Sequence, residues 1–133
     1  MTRLTALFIG NESLTQQCAA AWLGRGHAIA AVVTRQPEFA AWASGQGLRV
    51  EAPGKDLAAR LAGLSVDWLL SVVNLSLVAP EVLALARQGG VNFHDGPLPE
   101  RAGLNAPVWA LLEGAPRHGI TWHLITAGVD EGD

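Results

Sequence analysis

Apolar residues fall into short blocks divided by glycine, proline and polar turns, and the blocks alternate between two kinds. Residues 4–9, 27–34, 48–52 and 66–73 are near-continuous apolar runs, the signature of strands covered on both faces. Between them lie stretches with apolar positions three and four apart. Residues 13–25 carry Cys18 and Trp22, with Ser13 placed to cap and Gly26 to close. Pro37 suits the first turn of a helix through Phe39 and Trp42 to residue 44. Residues 55–61 and a segment opened by Pro80 repeat the helical spacing, and the latter stops at Gly89 and Gly90. A fifth strand then ends at Val91, Asn92, Phe93 and His94. A helix over 105–113 follows, and a sixth strand over 118–126. Strands alternating with helices predict an α/β chain with a mostly parallel sheet and helices on both faces.

The fifth strand carries the polar residues that stand out. Side chains alternate along a strand, so Asn92 and His94 project to one side. Asp95, Gly96, Pro97 and Pro99 cannot continue a central ladder, so the chain leaves the sheet there. In open α/β sheets that carboxyl edge is where ligands bind. Two polar groups facing such a crevice are hard to explain as packing. If every connection is a right-handed crossover, the loop after Thr126 emerges at the same edge and brings Asp130 near His94.

Composition narrows the class. At 133 residues, half of them hydrophobic, the chain suits a single domain with a real core. A formal charge of -3 without a basic run argues against a nucleic-acid surface built on Lys and Arg. Cys18 is the single cysteine, which excludes an internal disulfide and a cysteine-rich zinc cluster and fits a reducing cytoplasm. The apolar start is too short for a signal peptide, and the longest apolar run, residues 68–79, is too short to span a bilayer. The turn after the first strand, I-G-N-E-S-L-T, has one glycine where a dinucleotide fingerprint needs three. No phosphate-binding P-loop sequence occurs either. His27, His118 and His123 read as structural, because their spacing does not suit a metal, and the five tryptophans read as core. Glu12 reads as a solvated charge beside a helix start. No metal is expected.

The run G-G-V-N-F-H, then L-P-x-x-x-G at Leu98, Pro99 and Gly103, then V-D-E-G-D at 129–133, resembles the folate-dependent formyltransferases. F-I-G-N-E-S and V-V-T-R add to the likeness, which extends over nearly the whole chain. It implies a Rossmann-like domain over 1–133 that uses 10-formyltetrahydrofolate as formyl donor. It also implies a catalytic set of Asn92, His94 and Asp130. In that reading Asn92 and His94 donate to an oxygen gaining charge at a tetrahedral centre, His94 handles the amine proton, and Asp130 orients His94. Main-chain groups of Leu75, Ser76, Leu77 and Val78 would pair with the pterin. Ile125, Thr126, Ala127, Gly128 and Val129 would assist.

The acceptor is expected to be an amine: an amino sugar, an aminoacyl group on a charged tRNA, or a carrier-tethered amino acid. D-G-P-L-P and G-L-N-A-P-V-W look like the formylating domains that begin peptide-synthetase assembly lines. Asp95 and Gly96 depart from the family's Pro-Ser or Gly-Ser, and Glu100 with Arg101 stands where the transfer-RNA enzymes carry a more basic loop. Family members continue past Asp130 with a further strand and helix. The domain is therefore expected to be incomplete after its sixth strand, as part of a longer protein or a reduced relative whose last strand comes from another chain. Two rivals remain open: hydrolysis of the same donor, and a catalytically silent folate-binding or assembly module.

Overall fold

A computed structural model describes residues 2–72, 78–93 and 122–124, the last of these as strand backbone only. The sheet has the order β3-β2-β1-β4-β5-β6. In chain order the elements are β1 (Thr5–Ile9), α1 (Ser13–Gly24), β2 (Ala28–Val33), α2 (Pro37–Gly45), β3 (Val50–Glu51), α3 (Leu57–Arg60), β4 (Trp68–Val72), α4 (Pro80–Leu83), β5 (Gly90–Phe93) and β6 (Trp122–Leu124). The first five strands are mutually parallel, as the apolar runs predict.

Strand alternation divides the interior into two cores. Phe8, Val32, Leu70, Val72, Val91 and Phe93 pack with Trp22 of α1 and Phe39 of α2 on one face. Leu7, Ile9, Val33 and Leu69 pack with Leu57 of α3 and Val82 of α4 on the other. Two helices on each face follow from the strand order: the chain steps outward from β1 to β3 and then crosses back to β4, so right-handed connections change face. The change makes a switch point between the carboxyl ends of β1 and β4.

Several local expectations hold. Pro37 is the first residue of α2, and Gly26, at φ 87°, closes the turn after α1 in a conformation that favours glycine. Ser13 does not cap α1; Glu12 occupies the capping position, where its N–H donates to Thr15 Oγ1 at 3.4 Å. His27 is buried, with its ring against Trp22 at 4.7 Å. Its Nδ1 accepts the Leu4 N–H at 3.1 Å, so the ring proton sits on Nε2 and the residue is structural. Cys18 is 5% exposed, and burial pushes its thiol up to about 12, which makes it an inert core group. Among the described residues no helix is long and apolar enough to cross a membrane.

One expectation is corrected. β6 is antiparallel to β5, with Trp122 paired to Phe93 and Leu124 to Val91. It therefore runs away from the carboxyl edge. The right-handed rule governs parallel crossovers only, and an antiparallel strand at the edge of an otherwise parallel sheet is a common arrangement. The connection into β6 is not the right-handed crossover from which Asp130 is expected beside His94, so that expectation loses its basis.

Opposite the carboxyl edge, Asp67 ties the amino ends of β1 and β4 together. Its carboxylate accepts the Thr5 N–H at 2.9 Å and a guanidinium N–H of Arg87. The Thr5 peptide, followed by Arg87, holds this carboxyl below its ordinary value. Glu51, between Arg49 and Arg60, is lowered in the same way. A folded-state pKa below the unfolded value of roughly 4 gives stability that is present above that value and is lost as pH falls through the folded one. The urea midpoint is expected to drop on acidification below about pH 4. Asp67→Asn should make that dependence shallower, and an unchanged slope in the variant would count against the network.

Candidate functional site at the carboxyl edge

Asn92 lies near the carboxyl end of β5, half-buried between buried Val91 and Phe93. Because Val91 and Phe93 belong to the core under α1 and α2, alternation turns Asn92 to the opposite face, that of α3 and α4. The register places it in a row of strand neighbours. Asn92 pairs with Ser71, Ser71 with Ile9, and Ile9 with Val33. Ile9 and Val33 belong to the core on the α3–α4 face, so the row runs along that face from β2 to Asn92. On its other side, Asn92 stands in register with His123 of β6.

The β2 end of this row opens into a cavity of about 620 Å³. Its floor is apolar, from Ile9, Val33, Leu57 and Val82, and its rim is polar, from Asn11, Arg35, Lys55 and Glu81. This size and this mixture of walls are those of a small-molecule site. In the sequence Asn11 and Arg35 are marked only as members of F-I-G-N-E-S and V-V-T-R, without a role, and Lys55 is not marked. A signal was present, however: Asn11 and Arg35 each stand two residues beyond the last apolar residue of a parallel strand, at the edge where ligands collect.

The local chain is built to hold this edge. The Gly10 N–H donates to the Val33 carbonyl at 3.1 Å, so the turn after β1 stays seated on β2. Asn11 Oδ1 then accepts the Arg35 N–H at 2.6 Å and the Thr34 hydroxyl at 3.2 Å, tying the first two loops to each other. Thr15, fully buried in the first turn of α1, donates to the Val72 carbonyl at 2.9 Å and fixes that helix to the end of β4.

Of the other sequence-predicted residues, Val78 is described: it is half-buried and lines the cavity beside Val82. His94, Asp130, Leu75, Ser76, Leu77, Ile125, Thr126, Ala127, Gly128 and Val129 lie outside the described residues.

A family profile described as formyl transferase matches residues 3–133. The chain belongs to the formyl transferase family. Among curated relatives, the methionyl-tRNA formyltransferase of Anaeromyxobacter dehalogenans (strain 2CP-C) is 31% identical over 95% of this chain and 46% of its own length. That of Geobacter metallireducens is 26% identical over 100% of this chain and 48% of its own. The chain thus spans about half the length of the curated relatives it matches. A solved structure of glycinamide ribonucleotide transformylase 1 from Symbiobacterium toebii superposes with a TM-score of 0.63 at 26% identity, covering 98% of this chain and 69% of that one. A formyltetrahydrofolate deformylase from Burkholderia mallei shares the fold, with a TM-score of 0.59 at 20% identity, over 98% of this chain and 52% of that one. The α/β, Rossmann-like architecture expected of a formyltransferase is therefore the observed one, and the family is one of transferases.

Proposed function

We propose that this chain is the catalytic domain of an enzyme that moves a formyl group from 10-formyltetrahydrofolate to an amine, with Asn92, His94 and Asp130 as its catalytic residues. The observation that carries the reading is the placement of Asn92. In a chain of this family, its amide sits on the carboxyl edge, on the sheet face that carries the cavity.

The donor supplies an activated formyl carbonyl. When an amine adds to it, the carbonyl oxygen gains negative charge and the nitrogen must shed a proton. A side-chain amide held by a strand is a donor whose position is fixed before the reaction begins, so it need not reorganise as charge develops. Asn92 has that character. His94 is proposed as the second donor and as the group that handles the proton, because an imidazole titrates near neutrality. Asp130 is proposed to orient it on the likeness of V-D-E-G-D at 129–133 to the family's motif, not on the direction of β6.

For the donor's flat ring, the requirement is apolar walls with peptide groups at the rim. Val78 and Val82 meet the first part, one half-buried and the other buried at the cavity wall. The proposed pterin contacts are Leu75, Ser76, Leu77 and Val78, and Ile125, Thr126, Ala127, Gly128 and Val129 are proposed to assist on the family resemblance. The proposed acceptor is an amine on an amino sugar, an aminoacyl group or a carrier-tethered amino acid.

A product assay on the full-length protein, with formyl-labelled donor and a panel of these amines, is expected to show label in a formylated amine. Label released only as free formate would replace transfer by hydrolysis. No turnover with intact folate binding would make the domain a silent binding module.

A further inference from the structure

We infer that Ser71 is a positioning residue for the proposed catalytic amide: its hydroxyl donates to Asn92 Oδ1 and so holds Asn92 Nδ2 toward the oxygen that gains charge. This rests on the formyl-transfer reading of the carboxyl edge and adds to it a residue from a second strand.

Four polar side chains are buried among the described residues: Thr15, His27, Thr34 and Ser71. Three of them tie segments of the fold together. Thr15 donates to the Val72 carbonyl, His27 accepts the Leu4 N–H, and Thr34 donates to Asn11. Ser71 differs in its place. It is 1% exposed on central strand β4, in the otherwise apolar run W-L-L-S-V. A β-branched aliphatic residue would suit such a position better, because a hydroxyl taken out of water costs free energy unless it gains a hydrogen bond. Leu69, two residues earlier, belongs to the core under α3 and α4, so alternation turns Ser71 to that same face. Its register partners are Ile9 on β1 and Asn92 on β5. Ile9 has no polar side-chain atom, so Asn92 is its polar neighbour in the row.

Neighbouring strands stand about 4.8 Å apart, and residues in register on one face project side by side. A hydroxyl and a carboxamide placed in this way can close the gap with a hydrogen bond of roughly 2.8 Å. The last torsion of an asparagine is broad and two-fold. One orientation offers Nδ2 to the developing oxyanion, and the other sets Oδ1 against it. With Nδ2 engaged, Oδ1 is the end left for Ser71, and the hydroxyl donates to it. That bond also makes the amide a better donor, since linked hydrogen bonds polarise one another. The free protein needs no short contact here, because catalytic hydrogen bonds tighten when the substrate complex forms.

The test measures release of the formyl label from 10-formyltetrahydrofolate by the full-length protein, with the panel of amines present, in a double-variant cycle of Ser71→Ala and Asn92→Ala. Ser71→Ala is expected to lower kcat about five- to tenfold, the loss typical of one neutral hydrogen bond, with affinity for 5-formyltetrahydrofolate unchanged. In the Asn92→Ala background the same change should alter kcat by less than about twofold, because the group it positions is gone. Ser71→Cys keeps the bulk of the side chain and weakens the donor, so it should lose activity as the alanine variant does. A role in packing alone gives the reverse: the cysteine variant would keep its kcat, and any loss would be equal in the two backgrounds. Either result, or a Ser71→Ala kcat within about twofold of the unaltered protein, would overturn the proposal. The reading beneath it fails separately. A kcat within about tenfold after Asn92→Ala would remove the amide from the catalytic set, and the positioning role with it, whatever Ser71→Ala does.

Discussion

Replacing Asn92 with alanine is expected to lower the formyl-transfer kcat by about a hundredfold to a thousandfold, with folate affinity and thermal midpoint close to those of the unaltered protein. The size follows from the moment at which the amide acts. A donor aimed at an oxygen that becomes negative only during the reaction contributes little to binding, so its removal appears in kcat rather than in KM. The structure explains why the fold should tolerate the change. Val91 and Phe93 anchor β5 by their burial, and they stay in place when Asn92, turned to the other face and half-buried, is shortened. Asn92→Asp is a sharper version. It keeps the shape, removes the donor and sets a carboxylate beside the developing charge, so it should be no more active than Asn92→Ala. Steady-state kinetics with a folate titration on each variant decides the matter. A kcat within tenfold of the unaltered protein, or a parallel loss of folate binding, would move Asn92 out of the catalytic set. His94→Ala should give a comparable collapse in turnover.

Much of this architecture was legible because buried parallel strands leave a strong mark. The apolar runs around Leu7, Val32, Leu70 and Val91 cannot lie anywhere but a sheet covered on both faces, and Pro37 and Gly26 mark a helix start and a turn by their backbone preferences alone. What failed was what periodicity does not carry. Alternation reads the same in either direction along a strand, so nothing in residues 118–126 announced that β6 runs antiparallel to β5. The cap of α1 shifted by one residue for a tertiary reason. Thr15 is committed to the Val72 carbonyl, and that fixes the first turn where Glu12, not Ser13, precedes it. The cavity was only faintly marked, for a different reason. A lone Arg or Lys in a loop usually belongs to the solvent, and Asn11, Arg35 and Lys55 gain meaning only once three loops converge on one rim.

Gly10→Ala is expected to destabilise the domain by about 2–5 kcal/mol, an overpacking cost of 1–3 with a buried hydrogen bond disturbed as well. Gly10 needs no left-handed backbone; what it needs is room. A Cβ at this position would overlap the Val72 carbonyl oxygen and the Thr15 hydroxyl, and would stand 2.7 Å from Thr15 Cγ2. Two of those atoms already bond to each other, the Thr15 hydroxyl donating to the Val72 carbonyl at 2.9 Å. Neither has somewhere to go: the carbonyl belongs to the end of central strand β4, and Thr15 is fully buried. The added methyl must therefore push α1 off the sheet or part β1 from β4, and either movement displaces Asn11 at the cavity rim. Thr15→Ala separates the two obstacles. Alone it should cost about 1–3 kcal/mol by leaving the Val72 carbonyl short of a partner. Combined with Gly10→Ala it should recover only part of the loss, because the carbonyl still blocks the methyl. Urea denaturation of the two single variants and the double variant measures the coupling. A Gly10→Ala protein within about 0.5 kcal/mol of the unaltered one would show that β1 leaves the sheet farther from β4 than this structure places it.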